Sequence, residues 1–204
     1  MANWADTWCY AMTSVAHVKE TLAEDLAEAA TIRTGAEQWQ DNHRLGRDHM
    51  ISSHPMDGWI MPYPNCLARI RLDHKLVIIG HGGESEIFID GFTPAKLALR
   101  LYGFGVRNVG LITFKGCALG NGDFLNNFGM ACGNIKLEKG TGRINIGFMK
   151  AYRGAVRFID NRYSIVNTDG GDDIKVVLGN AASSVPQAIA DQVITKRARV
   201  ISTG

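Results

Sequence analysis

The chain lacks the apolar runs, the charge excess and the leader pattern that direct proteins to membranes or nucleic acid. None of its 204 residues belongs to a run approaching the roughly 20 apolar residues that a membrane-spanning helix needs. A formal net charge of +2 offers little attraction to nucleic acid or anionic lipid. The N-terminus has no basic segment followed by an apolar core, so no secretory signal is predicted. We therefore expect no nucleic-acid or membrane partner, and a cytoplasmic location or export without a classical signal peptide.

Cysteine is sparse and widely spaced. The four cysteines contain no Cys-x-x-Cys pair, which argues against a disulfide framework and favours free thiols in a reducing compartment. They are Cys9, Cys66, Cys117 and Cys132. A set of residues that often bind zinc follows no compact ligand spacing. This set is His43, His49, His54, His74 and Cys66. We expect neither a metal site nor a cofactor.

Two glycine-rich stretches fail the motifs that they resemble. His81-Gly82-Gly83 is similar to the oxyanion loop of esterases, but that fold needs small residues two positions before and after its nucleophile. Lys115 and Leu119 occupy those positions around Cys117. The stretch 140–143, Gly-Thr-Gly-Arg, lacks the strand-to-helix context of a phosphate loop and predicts a hairpin turn instead.

Two strongly apolar stretches predict buried parallel strands. Residues 75–79 and 109–114 show no polar alternation, which is typical of strands buried on both faces. Between them, Thr93 is a predicted N-cap and Pro94 the first residue of a helix that reaches Tyr102. A strand, a helix and a second strand in this order predict two parallel neighbours in one sheet. The carboxyl ends of the two strands should therefore meet at one edge.

The rest of the chain extends this α/β pattern. Apolar residues at three- and four-residue spacing predict an amphipathic helix over 13–32, and the polar stretch 38–64 is left open. Further short elements are predicted as a strand over 85–90, a helix over 123–131, strands over 134–137, 144–152, 155–159, 163–167 and 174–178, and a helix over 186–195. We divide the chain into a helical and irregular segment, 1–70, and a domain over 71–204. The sequence leaves open whether the first segment belongs to that domain.

A histidine and a cysteine come directly after the two buried strands. A thiol beside an imidazole is the minimal equipment for nucleophilic catalysis, and the predicted strand pairing would place His81 next to Cys117. Gly82 and Gly83 allow backbone to approach a substrate closely, and their N–H groups, with that of Cys117, are candidate donors to an oxyanion. The residues alone also fit a buried strand-end cysteine and an ordinary loop histidine. No third residue that orients His81 is evident.

At these residues the chain resembles the caspase-like (clan CD) cysteine peptidases, which include caspases, gingipains, clostripain and the self-processing protease domains of large bacterial toxins. The shared pattern is an apolar strand ending in His-Gly and a later apolar strand ending in a small residue and Cys. Here these are residues 78–82, Ile-Ile-Gly-His-Gly, and residues 112–117, Ile-Thr-Phe-Lys-Gly-Cys. The stretch 89–98 is similar to the bacterial members. The likeness covers roughly residues 76–160, and the eukaryotic motif Gln-Ala-Cys-x-Gly is absent.

The resemblance implies an α/β, caspase-like three-layer sandwich with a mainly parallel central sheet. It also implies a cysteine endopeptidase, a hydrolase in which Cys117 is the nucleophile and His81 the general base and acid, acting as a dyad. In the family, the strand after the nucleophile's helix lines the specificity pocket, which makes Tyr152 and Arg153 candidate substrate-binding residues. Their local pattern by itself favours an ordinary strand residue and a solvated turn charge. The implied role is a bacterial effector or self-processing toxin protease that acts on a protein or peptide substrate.

Two other functions stay open. A thiol-dependent acyltransferase or deamidase would keep the site and change the acceptor, and product analysis would separate it from a protease. A non-catalytic protein-binding module would use the helix over 13–32 as a docking surface, and an unreactive Cys117 would favour it. Residues 1–70 could also serve as an inhibitory or recognition segment for a partner.

Overall fold

The computed structural model describes residues 4–12, 37, 40–41, 45–53, 59–82, 89–159, 162–166 and 174–201. The predicted helix over 13–32 lies outside these residues, and so does most of the predicted strand over 85–90. None of the helices in the described ranges is both long enough and apolar enough to span a bilayer.

A mostly parallel sheet of six strands lies at the centre of the described residues. The strands in chain order are β1 (Asp6–Ala11), β2 (Met50–Ser52), β3 (His74–Ile79), β4 (Asn108–Lys115), β5 (Ile135–Lys136), β6 (Thr141–Gly142), β7 (Asn145–Tyr152), β8 (Ala155–Ile159), β9 (Arg162–Val166) and β10 (Ile174–Leu178). The central sheet has the order β2-β1-β3-β4-β7-β10, in which only the β7–β10 pair is antiparallel. Two separate hairpins pair β5 with β6 and β8 with β9.

The helices begin and end where local sequence signals place them. They are α1 (Pro94–Gly103), α2 (Phe124–Gly133) and α3 (Gln187–Ile201) in the described part of the chain. The Thr93 hydroxyl accepts a hydrogen bond from the Lys96 N–H at 3.3 Å, which satisfies one of the free donors of the first turn of α1. Gly105, with φ of +91°, takes the left-handed conformation that follows many helix ends. The predicted capping of α1 is therefore confirmed, whereas α3 runs further than the predicted 186–195.

Helices cover both faces of the sheet. On one face, the ring of Phe114 in β4 meets Phe124 and Phe128 of α2 edge-on, with centroids 5.2 and 5.1 Å apart, and α1 packs into the same core. On the other face, Leu111 of β4 packs in a smaller cluster with Ile189 of α3. Successive strand residues project to opposite faces, so β4 serves both cores. The result is an α/β arrangement of helix, sheet and helix layers, as the sequence predicts at this level.

The strands β1 and β2 were not predicted, and they lie in the same sheet as the strands of residues 71–204. Trp8 and Tyr10 belong to the larger core cluster, whereas Cys9 and Ala11 pack on the opposite face. Because both faces of β1 are buried, its sequence shows no polar alternation that would mark a strand. A hairpin forms here as predicted, but its turn lies at 137–140, where Gly140 has φ of +90°, and Thr141 and Gly142 of the predicted turn form β6 instead.

Candidate active site

The register of β3 and β4 places His81 and Cys117 at matching positions beyond two adjacent parallel strands. Ile79 and Lys115 are Cα partners, and the Gly80 N–H donates to the Lys115 carbonyl at 3.3 Å. His81 and Cys117 each follow one of these partners by two residues, the spacing that returns a strand to the same face. His81 is exposed and Cys117 is half-buried. The predicted meeting of the two strand ends is therefore confirmed.

Gly82 lies directly against the backbone of the cysteine. A Cβ atom placed on Gly82 would overlap the Cys117 carbonyl oxygen, and it would lie 2.7 Å from the Cys117 nitrogen. A Cβ placed on Gly116 would lie 3.3 Å from the Gly82 nitrogen. Only glycine permits this approach, which places the backbone nitrogens of Gly82 and Cys117 at the same edge, just beyond the ends of two neighbouring strands.

The loop that begins at Cys117 is held on its other side by the last residue of β7 and the turn that follows it. The Ala118 N–H donates to the Gly154 carbonyl at 3.1 Å, and the Gly120 N–H donates to the Tyr152 carbonyl at 2.8 Å. Ala118 has φ of +57°, a left-handed conformation that alanine rarely adopts and that is costly unless its surroundings impose it. The Ala118 N–H is therefore already bonded to Gly154, just beyond β7, so the Cys117 N–H is the better candidate to bind an oxyanion.

The two predicted substrate-binding residues flank this loop. A Cβ on Gly120 would lie 3.0 Å from both the Arg153 Cγ atom and the Tyr152 carbonyl oxygen. Arg153 is exposed, whereas Tyr152 is half-buried, and burial raises the pKa of its phenol. The structure thus brings four of the predicted site residues, His81, Cys117, Tyr152 and Arg153, to one edge of the sheet.

A tight hairpin, which the sequence reading did not identify, fixes the backbone of His81. Ile89 and Phe92 exchange both backbone hydrogen bonds, at 3.2 and 2.8 Å, around Asp90 and Gly91. Those two residues have φ of +49° and +71°, as a type I′ turn requires. The Asp90 N–H donates to the His81 carbonyl at 2.8 Å. The Asp-Gly pair is itself a strong hairpin signal and could have located this turn.

Cys117 differs from the other three thiols in its surroundings. Cys9 and Cys132 have 0% of their surface exposed, and burial raises the pKa of both thiols, that of Cys9 to about 12. Burial also raises the pKa of Cys66, which is half-buried like Cys117 but lies in a turn before β3. Because the thiolate is the reactive form, these three cysteines are poorly suited to nucleophilic attack.

Lys115, two residues before Cys117, is a buried lysine at the end of β4. It is 9% exposed, and burial, together with the positive charges of Lys75 and Lys150, lowers its pKa to about 7, while Cys9 acts in the opposite direction. Desolvation disfavours the ammonium form and like charges add to that effect. Lys115 therefore changes its charge near neutral pH at the end of β4.

The residues considered and rejected as zinc ligands do not form a cluster in the described part of the chain. His49 Nε2 lies 3.0 Å from a carboxylate oxygen of Asp6, and His74 is buried, which lowers the pKa of its imidazole. Among the described residues, no group of three His, Cys, Asp or Glu side chains could hold a metal ion. His43 and His54 lie outside those residues.

No protein family matches this chain, and comparisons with curated proteins and with solved structures found no similar protein.

Proposed function

We propose that the protein is a cysteine endopeptidase with a caspase-like arrangement, in which His81 and Cys117 act as a dyad. The observation that carries this proposal is the register of β3 with β4, in which Ile79 pairs with Lys115 and each catalytic candidate follows two residues later. The carboxyl ends of parallel strands are where ligands of α/β proteins commonly bind. The half-buried Cys117 at this edge is the thiol best placed to meet a substrate.

The proposed reaction is acyl transfer through a thioester. The Cys117 sulfur attacks the peptide carbonyl while His81 takes the thiol proton. The negative oxygen that develops accepts hydrogen bonds from the N–H groups of Gly82 and Cys117, whose backbones are in contact. His81 then gives its proton to the leaving amine, the C–N bond breaks, and water hydrolyses the acyl-enzyme to release the acid and the free thiol.

The end of β7 supports a substrate-binding role for its two candidates. The hydrogen bonds from Gly120 to Tyr152 and from Ala118 to Gly154 hold Tyr152 and Arg153 beside the Cys117 loop. An exposed arginine can pair with an acidic group of a bound peptide, and the half-buried tyrosine offers an apolar surface next to it. We propose that these two residues contact the substrate on the side of the nucleophile opposite His81.

Selective labelling is the first test. Native protein is treated with a limiting amount of iodoacetamide at pH 7, and the labelled peptides are identified by mass spectrometry. We expect Cys117 to react first, Cys66 more slowly, and the fully buried Cys9 and Cys132 only after denaturation in urea. Equal labelling of Cys117 and Cys66 would contradict the proposed activation of Cys117.

Hydrolysis of a library of fluorogenic tetrapeptide amides is the second test. Cys117→Ala and His81→Ala should each abolish turnover, and their effects should not add because the two residues act as a unit. Cys66→Ala is the matched control, since it removes a half-buried thiol outside the site. Cys132→Ala should also retain activity, but it creates a cavity in a fully buried position and is the less clean control.

The products distinguish the alternative functions. Release of an acid and an amine supports the endopeptidase, whereas transfer of the acyl group to an added amine or conversion of glutamine to glutamate would support an acyltransferase or a deamidase. Normal folding with an unreactive Cys117 and no turnover would contradict the catalytic proposal and favour a binding module.

A further inference from the structure

His81 sits between two glycines, so its own segment does little to fix the imidazole. Gly80 and Gly82 have the widest conformational freedom of any residue type. Catalysis by a dyad requires the base to be held near the thiol, because a misplacement of about 1 Å can lower a rate by about 100-fold. Neighbouring segments must therefore restrain residues 80–82.

Two contacts restrain this segment on opposite sides. From β4, the Lys115 carbonyl accepts the Gly80 N–H at 3.3 Å. From the 89–92 hairpin, the Asp90 N–H holds the His81 carbonyl at 2.8 Å, and Ile89 forms a β-bridge with Gly82. The peptide groups around His81 are thus held between a core strand and a tight turn.

The side chain of Asp90 also restrains this segment, although the turn itself requires only the backbone conformation of Asp90. A Cβ placed on Gly80 would lie 2.5 Å from the Asp90 Oδ2 atom, so the carboxylate packs on the residue before His81. Asp90 is only 9% exposed, whereas an aspartate that serves a turn alone can keep its carboxylate in water. Burial is the main cause that raises the pKa of Tyr10; the Asp90 charge adds to it and the Arg100 charge opposes it, so the carboxylate lies near both β1 and α1.

We propose that the Asp90 carboxylate is a positioning group for the dyad, which fixes the backbone of His81 and thereby places its imidazole relative to Cys117. This inference rests on the proposed function of the two residues. Asp90 does not touch the reacting atoms in this proposal. Its effect on Cys117 passes through residues 80–82.

Substitutions of Asp90 can remove its carboxylate while they preserve the turn. Asp90→Asn removes the charge and keeps a residue that is favoured at this position of a type I′ turn. Asp90→Gly removes the side chain and accepts the positive φ without strain, so it remains informative if the first variant folds poorly. Asp191→Asn is the matched control, because it makes the same change at an exposed position of α3.

The measurement is the rate of Cys117 alkylation by iodoacetamide from pH 5 to 9, because this small reagent needs no substrate site. Both Asp90 variants should slow the alkylation of Cys117 at pH 7 by about tenfold, toward the rate of His81→Ala. Their alkylation rates should also depend on pH as the rate of His81→Ala does. In the His81→Ala background, Asp90→Asn should have no further effect. Asp191→Asn should react like the unmodified chain.

The outcomes separate this inference from the proposed function. If His81→Ala slows alkylation and Asp90→Asn does not, the positioning role is wrong and the dyad stands. If Asp90→Asn slows alkylation equally with and without His81, Asp90 acts on the cysteine by another route and the inference is also wrong. If His81→Ala has no effect on the rate, the dyad itself fails and Asp90 has no base to position.

Discussion

Gly82→Ala should disable the site by moving the backbone of Cys117. The added Cβ would overlap the Cys117 carbonyl oxygen, and it would lie 2.7 Å from the Cys117 nitrogen and 3.0 Å from its carbonyl carbon. All three atoms are backbone, so no flexible side chain can yield. Relief requires one strand end to move, and such overpacking costs about 1–3 kcal/mol of unfolding free energy. A displacement approaching 1 Å would reduce turnover by about 100-fold.

Gly103→Ala is the matched control for this change. Gly103 is the last residue of α1, and nothing lies within 4 Å of a Cβ placed there. Its melting temperature should be unchanged or slightly higher, since alanine favours helix. The assays are thermal melting, alkylation of Cys117 and turnover of the peptide library. A Gly82→Ala protein with normal alkylation and turnover would refute the argument that this contact sets the position of the nucleophile.

Three further predictions concern charge, capping and substrate contact. Because Lys115 loses its proton near pH 7 in the folded chain and near 10.4 when unfolded, the free energy of unfolding should rise by about 1 kcal/mol between pH 7 and 8. Urea titrations should show this rise, and Lys115→Met should remove it. An equal rise in both proteins would contradict the assignment. Thr93→Ala should lower the free energy of unfolding by about 1 kcal/mol, and Thr93→Ser should lower it less; equal losses would argue against the hydroxyl cap. Arg153→Ala should raise KM for the peptide substrates and leave the iodoacetamide rate of Cys117 unchanged. Unaltered KM across the library would exclude Arg153 from the substrate site.

The strands next to the candidate site were predictable because their burial appears in the sequence as a short run of apolar residues. The apolar runs 75–79 and 109–114 match β3 and β4 within a residue or two, and Thr93 with Pro94 located the start of α1. Each of these signals lies within a few residues in the chain. Their pairing followed from a general rule on strand, helix and strand connections.

Other features depend on contacts that no short window contains. β2 has three residues, too few for any pattern, and β1 is buried on both faces. The overlap of Gly82 with Cys117 arises from a register between strands about 36 positions apart, and the buried state of Lys115 arises from the layers around it. The left-handed conformation of Ala118 has no local signal either, because the hydrogen bond that accompanies it goes to Gly154, far along the chain.

The position of β1 inside the sheet has a consequence for how the chain assembles. β1 pairs on one side with β3, where Asp6 faces His74. The number of residues between these paired positions is nearly twice the number between paired positions of β3 and β4. Closing the longer loop is slower, so β3, β4 and β7 can pair before β1 is in place. β1 precedes β3 in the chain, so during synthesis it can pair with β3 only after residue 79 has been made. Until then Trp8 and Tyr10 lack the β3 neighbours beside which they are buried in the folded chain, and exposed apolar side chains of this kind favour aggregation.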